Sequence, residues 1–151
     1  MSSATSAKFL LDVNVFIALA WPRHIHHRRA HSWWATIETW ATTPFTEAAF
    51  LRLSTNQAVV GQSVSMVDAL SMLASVRGSR GHAFVGDDTS LAESKLNLSR
   101  VVTSRQVTDA HLVNLAANHA LVLATLDRGI PEMLAVPDRI HVLVLPDTDP
   151  D

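Results

Sequence analysis

Short apolar runs alternate with stretches of helical periodicity along the chain, and several of the runs close on an acidic residue. Phe9–Leu11 has the length and apolarity of a buried strand, and Val15–Leu19 continues as a helix, which puts Asp12 at a strand-to-helix turn. Ala20-Trp21-Pro22-Arg23 breaks that helix, because proline fixes its φ and has no amide proton to donate. From His24 to Ala41 the pattern is helical again, with Ala30, Trp33, Trp34, Ile37 and Trp40 recurring at three- and four-residue steps. Thr42 to Thr46 is at most a brief strand. It runs into a helix for which Thr46 is the expected N-cap and Glu47 a first-turn acid, complementary to the helix dipole.

Asn56 to Ser65 reads as a polar loop, and Ser65 can cap a helix whose apolar face is Val67, Leu70, Leu73 and Ala74, stopping at Gly78. His82–Val85 is a further short strand. Gly86-Asp87-Asp88-Thr89 then forms a turn, its aspartates read as the cap of a short helix over Leu91–Leu98 in preference to metal ligands. Thr103 to Asp109 leads into a clear helix that carries Leu112, Leu115 and Ala116 on the same face as Asp109. A carboxylate in line with a buried stripe must be paired, metal-bound or at the helix start, since an isolated buried charge is too costly. Leu121–Leu126 is the strongest strand and ends in Asp127-Arg128-Gly129, and Ile140–Leu145 is the last.

Strands and helices alternate throughout. The expected class is α/β, a single domain with a central, mainly parallel sheet and helices on both faces. Its bounds are a polar lead over residues 1–8, the domain over 9–145, and an acidic tail over 146–151 that is expected to fray. The 151 residues, 48% of them hydrophobic, suffice for one real core. No cysteine is present, which excludes disulfides and thiolate zinc sites and suits a reducing, cytoplasmic setting. Neither a membrane-length apolar run nor a signal-peptide core is found. The formal net charge of -2 offers nucleic acid no global attraction, so such binding must rest on local basic groups. Arg23, His24, Arg28, Arg52, Arg105 and Arg128 are the candidates for backbone contacts, with ordinary solvation as the alternative.

Asp12 reads equally as an N-cap or as the start of a site. His24, His26, His27 and His31 invite a metal reading, but nothing beside them completes a closed ligand set, and a solvated basic face is preferred. The joint pattern is more informative. Asp12, Glu47, Asp109 and Asp127 each stand at a strand end or near a helix start, positions that share one rim of a parallel sheet. Four carboxylates there repel one another unless cations neutralise them, and all-oxygen ligation suits Mg²⁺ or Mn²⁺. Such a site serves phosphodiester hydrolysis by a metal-activated water.

Leu11-Asp12-Val13-Asn14, Thr46 to Ser54, Val107-Thr108-Asp109-Ala110 and Ala124 to Gly129 resemble, in order, the motifs of the PIN-domain ribonucleases, specifically the VapC toxins of bacterial toxin-antitoxin modules. The resemblance runs from Phe9 to Leu145. It implies that Asp12, Glu47, Asp109 and Asp127 are the catalytic and metal-binding acids, with Asn14 and Thr125 as supporting polar residues. It further implies Mg²⁺-dependent RNA cleavage, a homodimer, and silencing by a cognate VapB antitoxin. Ser104 stands where the family frequently has glycine. A haloacid-dehalogenase-like phosphohydrolase also begins with an Asp at a strand end, but it needs a second Asp where this chain has Asn14. A receiver-like binding module wants a lysine after a late strand, and only Lys8 and Lys95 are present. A catalytically silent PIN module would have lost an acid, and none is lost.

Overall fold

The computed structural model describes residues 8–148. The first seven residues of the polar lead and the last three of the acidic tail lie outside the described residues. Five strands, β1 (Phe9–Leu11), β2 (Trp40–Thr42), β3 (His82–Phe84), β4 (Val122–Thr125) and β5 (Val142–Val144), form one sheet in the order β3-β2-β1-β4-β5, every neighbouring pair parallel. The order reverses between β1 and β4. In an open parallel sheet that reversal opens a crevice at the carboxyl ends of the strands.

Alternation along the strands divides the core between the two faces of the sheet. Leu10, Ala41 and Leu123 point to one side, where α6 (Ser104–Asn118) and α7 (Gly129–Glu132) cover them with Leu112, Leu115, Ala116 and Ile130. Leu11, Trp40 and Ala124 point to the other, under α1 (Val13–Ala20) and α2 (His27–Trp34). Beyond α1, Phe16, Ile17 and Trp21 pack against Phe50 of α3 (Pro44–Ser54) and against Ala69 and Leu73 of α5 (Met66–Arg77). The Trp21 indole donates to Ser54 Oγ at 2.8 Å in this second layer, so the one polar atom of a buried ring is satisfied.

Several boundaries differ from those the sequence suggests. The helix expected over His24–Ala41 is eight residues long and ends at Trp34. The amides of Thr36 and Ile37 turn back onto the carbonyls of Trp33 and Trp34, and the Thr36 hydroxyl caps Trp33 O. Trp40 then opens β2, because the edge of β1 needs a parallel partner and a buried tryptophan is favourable on either backbone. For α3 the N-cap is Thr43 instead of Thr46: Pro44 takes the first helical position, which needs no amide proton, and Thr46 Oγ1 accepts from Thr43 N at 3.2 Å. The loop expected over 56–65 contains a short α4 (Gln57–Val60), capped by Asn56 and stopped by Gly61 at φ 76°.

Ser65 caps α5 as expected, its Oγ accepting from Asp68 N. The buried face of that helix is Ala69 and Leu73, however, and Val67, Leu70 and Ala74 face outward. Asp87 and Asp88 cap nothing. They accept from His111 Nε2 of α6 and from His119 Nε2 at its C-cap, each at 2.7 Å, and so fasten the loop after β3 to that helix. The helix expected over Leu91–Leu98 is one turn of 3-10 helix at Leu91–Glu93 capped by Ser90, after which Leu96 plugs the core. Within the described part of the acidic tail, Asp147 is bound by Arg128 at 2.7 Å and Arg29 at 3.5 Å.

Candidate active site

Asp12 follows β1 at the point where the strand order reverses, and it is only 5% exposed. The N-cap reading of this residue holds. Its Oδ1 accepts from Val13 N at 2.8 Å, which caps α1, while its Oδ2 accepts from Thr125 Oγ1 at 2.7 Å. Thr125 is the last residue of the adjacent β4 and is fully buried. Its hydroxyl has one proton, given to Asp12, and its lone pairs take Asn14 Nδ2 at 3.2 Å and the amide of Asp127 at 3.0 Å. Asn14 completes the set by accepting from Leu126 N at 3.1 Å. Thr125 and Asn14 therefore tie the ends of β1 and β4 together, and every polar atom in the tie has a use. The Asn14 side chain is an amide committed in both directions, so it supplies no second acid of the kind a phosphohydrolase needs.

Asp127 begins the turn after β4, with its Oδ1 accepting from Gly129 N at 2.8 Å. Asp109 reaches the same region from α6, where it is half-buried. Thr103, Arg105, Gln106, Asp109, Asp127, Gly129 and Met133 line a cleft of about 360 Å³. Burial raises the Asp109 carboxyl to about 6, and the charges of Asp12 and Asp127 add to the rise against the opposing pull of Arg105. The Asp12 carboxyl is also raised, first by burial, although its Thr125 and Val13 hydrogen bonds oppose the shift. Three of the four expected acids thus act on one another electrostatically.

Glu47, in the first turn of α3, has other company. Its Oε2 accepts from Thr42 Oγ1 and from Arg77 Nη1, each at 2.7 Å. Among the described residues, no three acidic or histidine side chains stand close enough to hold one ion as placed. In donor chemistry the three aspartates nevertheless fit a hard divalent cation. They offer only carboxylate oxygens, and after burial it is the charges of Asp12 and Asp127 that raise the Asp109 carboxyl, with Arg105 opposing them.

The histidines near α2 do not gather around a common point. His27 Nδ1 donates to Ala18 O at 2.7 Å and His31 Nε2 to Leu19 O at 3.1 Å, so both close carbonyls left open at the end of α1. Of the basic candidates, Arg23, Arg28, Arg52, Arg105 and Arg128 are exposed and His24 is half-buried. Arg105 lies in the wall of the Asp109–Asp127 cleft, whereas Arg128 is paired with Asp147. The sequence reading did not single out Arg77 and Thr42, the partners of Glu47. A helix-terminal arginine 30 residues from its glutamate carries no local signal.

A family model described as PIN domain matches residues 9–134, the span that carries the sheet through β4 and all four acids. The chain belongs to the PIN-domain family. Within that family it is similar to proteins named as VapC ribonucleases of Mycobacterium tuberculosis. Ribonuclease VapC38 of strain ATCC 25618 / H37Rv is 46% identical over 123 residues, covering 80% of this chain and 86% of that protein. Ribonuclease VapC39 of the same strain is 41% identical over 126 residues, covering 82% and 91%. Ribonuclease VapC29 is 38% identical over 125 residues, covering 82% and 89%. The PIN family assignment agrees with the all-parallel sheet and with the crevice at the β1–β4 reversal.

Proposed function

We propose that this PIN-domain protein is a Mg²⁺-dependent endoribonuclease, the toxin of a VapB–VapC module, which hydrolyses RNA phosphodiester bonds; Mn²⁺ is a possible substitute ion. The observation that carries the reading is that Asp109 and Asp127 line one cleft and act electrostatically on each other and on Asp12 at the sheet reversal, the Asp109 carboxyl being raised to about 6 first by burial and then by its aspartate neighbours. The ribonuclease names of relatives at 38–46% identity support the choice of RNA. Asp12, Asp109 and Asp127 would hold the ion, with Glu47 as the fourth acid. The chemistry such an ion supplies when bound is a lowered pKa for a water and a counter-charge for the leaving oxygen.

The chain's own residues do the rest. Thr125 and Val13 fix the Asp12 carboxylate in one orientation, and Asn14 fixes Thr125. Arg105 would take a phosphate oxygen of the strand next to the scissile bond, a role its position in the wall of the cleft supports. Arg23, His24, Arg28, Arg52 and Arg128 are further backbone contacts. Exposed Met66, Val67 and Leu70 on α5 supply the apolar surface for a homodimer. A VapB-type antitoxin silences the site by sending an arginine to the acids, since a guanidinium can fork to two carboxylate oxygens. The cytoplasm is the compartment that holds such a substrate and partner; among the described residues no helix is long and apolar enough to cross a membrane.

The test is incubation of the purified chain with total RNA in Mg²⁺, Mn²⁺ or EDTA, followed by analysis of the new ends. The expected result is cleavage in either metal, none in EDTA, and no 2′,3′-cyclic phosphate, because attack by water leaves none. Cleavage that persists in EDTA, or cyclic-phosphate ends, would rule out the proposed chemistry.

A further inference from the structure

Glu47 is the expected acid whose partners lie apart from the aspartates, and both of its donors are themselves fixed. Thr42 is fully buried at the end of β2, and the Arg77 guanidinium lies over the ring of Phe84, 4.5 Å from its centroid. The Thr42 hydroxyl spends its single proton on Glu47 Oε2 at 2.7 Å. His82 Nε2 lies 2.7 Å from the same hydroxyl oxygen. Thr42 of β2 and Arg77 of α5 thus share one carboxylate oxygen of Glu47 on α3, and His82 of β3 reaches it only through Thr42. The pair is unevenly buried, the Glu47 side chain being 14% exposed and that of Arg77 41%. The main charges acting on Asp109 are those of Asp12, Asp127 and Arg105.

We propose that Arg77 is a positioning residue that withholds Glu47 from the aspartate cluster, so that the Glu47–Arg77 pair sets how tightly the site takes a divalent cation. This inference rests on the metal-dependent reading above. A carboxylate shared with a guanidinium presents less negative charge to an approaching cation, and the guanidinium itself repels that cation. Removing the Arg77 charge therefore returns Glu47 to the site as a free acid. Arg77→Met retains the apolar stem over Phe84 while deleting the charge, and Arg77→Lys retains the charge.

The experiment is Mn²⁺ binding to the purified full chain without RNA, followed by calorimetry or by the electron spin resonance of free Mn²⁺. It compares wild type, Arg77→Met, Arg77→Lys, Glu47→Gln and the Arg77→Met/Glu47→Gln pair. The expected result is a Kd about two- to fivefold lower in Arg77→Met, the size of effect a partly exposed ion pair carries. Arg77→Lys should stay with wild type, and Arg77→Met should change nothing once Glu47 is Gln. Unchanged or weaker binding in Arg77→Met, or equal tightening in both backgrounds, overturns this inference and leaves the metal reading standing. Absence of Mn²⁺ binding in every protein overturns the metal reading and this inference with it.

Discussion

Replacing Asp109 by Asn should stabilise the metal-free protein, although the residue is assigned to the active site. The Asp109 carboxyl is raised from 3.8 to about 6, first by burial and then by Asp12 and Asp127. The native state therefore holds this proton more tightly than the unfolded chain does. The stability tied to that proton is fully present below pH 3.8 and is lost as the pH rises through about 6. At about 1.4 kcal/mol for each tenfold change in proton affinity, the full shift corresponds to roughly 3 kcal/mol; partial solvent exposure reduces this to about 1–2 kcal/mol. A protein of this size gains about 2–4 °C in Tm per kcal/mol, so Asp109→Asn in EDTA at pH 7.5 should melt roughly 2–8 °C above wild type. The gap should narrow at pH 4.5, where native Asp109 is protonated, and close only below pH 3.8, where the unfolded chain binds the proton too. In Mg²⁺ the order should reverse, because only wild type offers the full set of charged ligands. Thermal melts of both proteins in EDTA across that pH range decide the matter. An Asn variant that melts below wild type at pH 7.5, or a gap independent of pH, would show that Asp109 is a structural acid.

Thr125→Val keeps the volume of the side chain but leaves Asp12 Oδ2 without its donor and the Asp127 amide without its acceptor. It should cost about 1–3 kcal/mol in denaturant titration and lower RNA cleavage about 10- to 100-fold in rate assays. Gly81→Ala should destabilise by at least about 2 kcal/mol in the same titration, since its Cβ would lie 2.1 Å from Glu38 O at a φ of +91°. Val67→Asp, on the exposed face of α5, should shift sedimentation from dimer to monomer; a wild type that is monomeric at micromolar concentration refutes the proposed interface.

The sheet was legible because its strands are brief, apolar and each followed by a polar stop, and parallel pairing needs little else. Asp12 and Asp127 stand out for the same reason, as residues that end such runs, whereas Asp109 stands out as a carboxylate in line with an apolar helix face. Positions decided by tertiary contacts were hidden. Trp40 fits a helical stripe with Trp33 and Ile37 as well as it fits a strand, and only the free edge of β1 selects the strand. Val67 and Leu70 look like a core face on α5, yet the small Ala69 lets α5 approach α3 and turns that pair outward. Asp87 and Asp88 look like helix caps because histidines 24 and 31 residues away leave no trace in local sequence. The Glu47–Arg77 contact was hidden likewise, so the sequence suggested a quartet where the structure couples three aspartates electrostatically and pairs the glutamate with an arginine.

The central claim is that the aspartates at the β1–β4 reversal perform metal-dependent RNA cleavage. Initial rates of cleavage by wild type and by Asp12→Asn in Mg²⁺, with both proteins shown by circular dichroism to be folded, test it most directly. The account predicts that wild type cleaves and that Asp12→Asn is slower by at least about 100-fold, since an amide cannot supply the charge a divalent cation requires. A folded Asp12→Asn variant that cleaves RNA at the wild-type rate would contradict it.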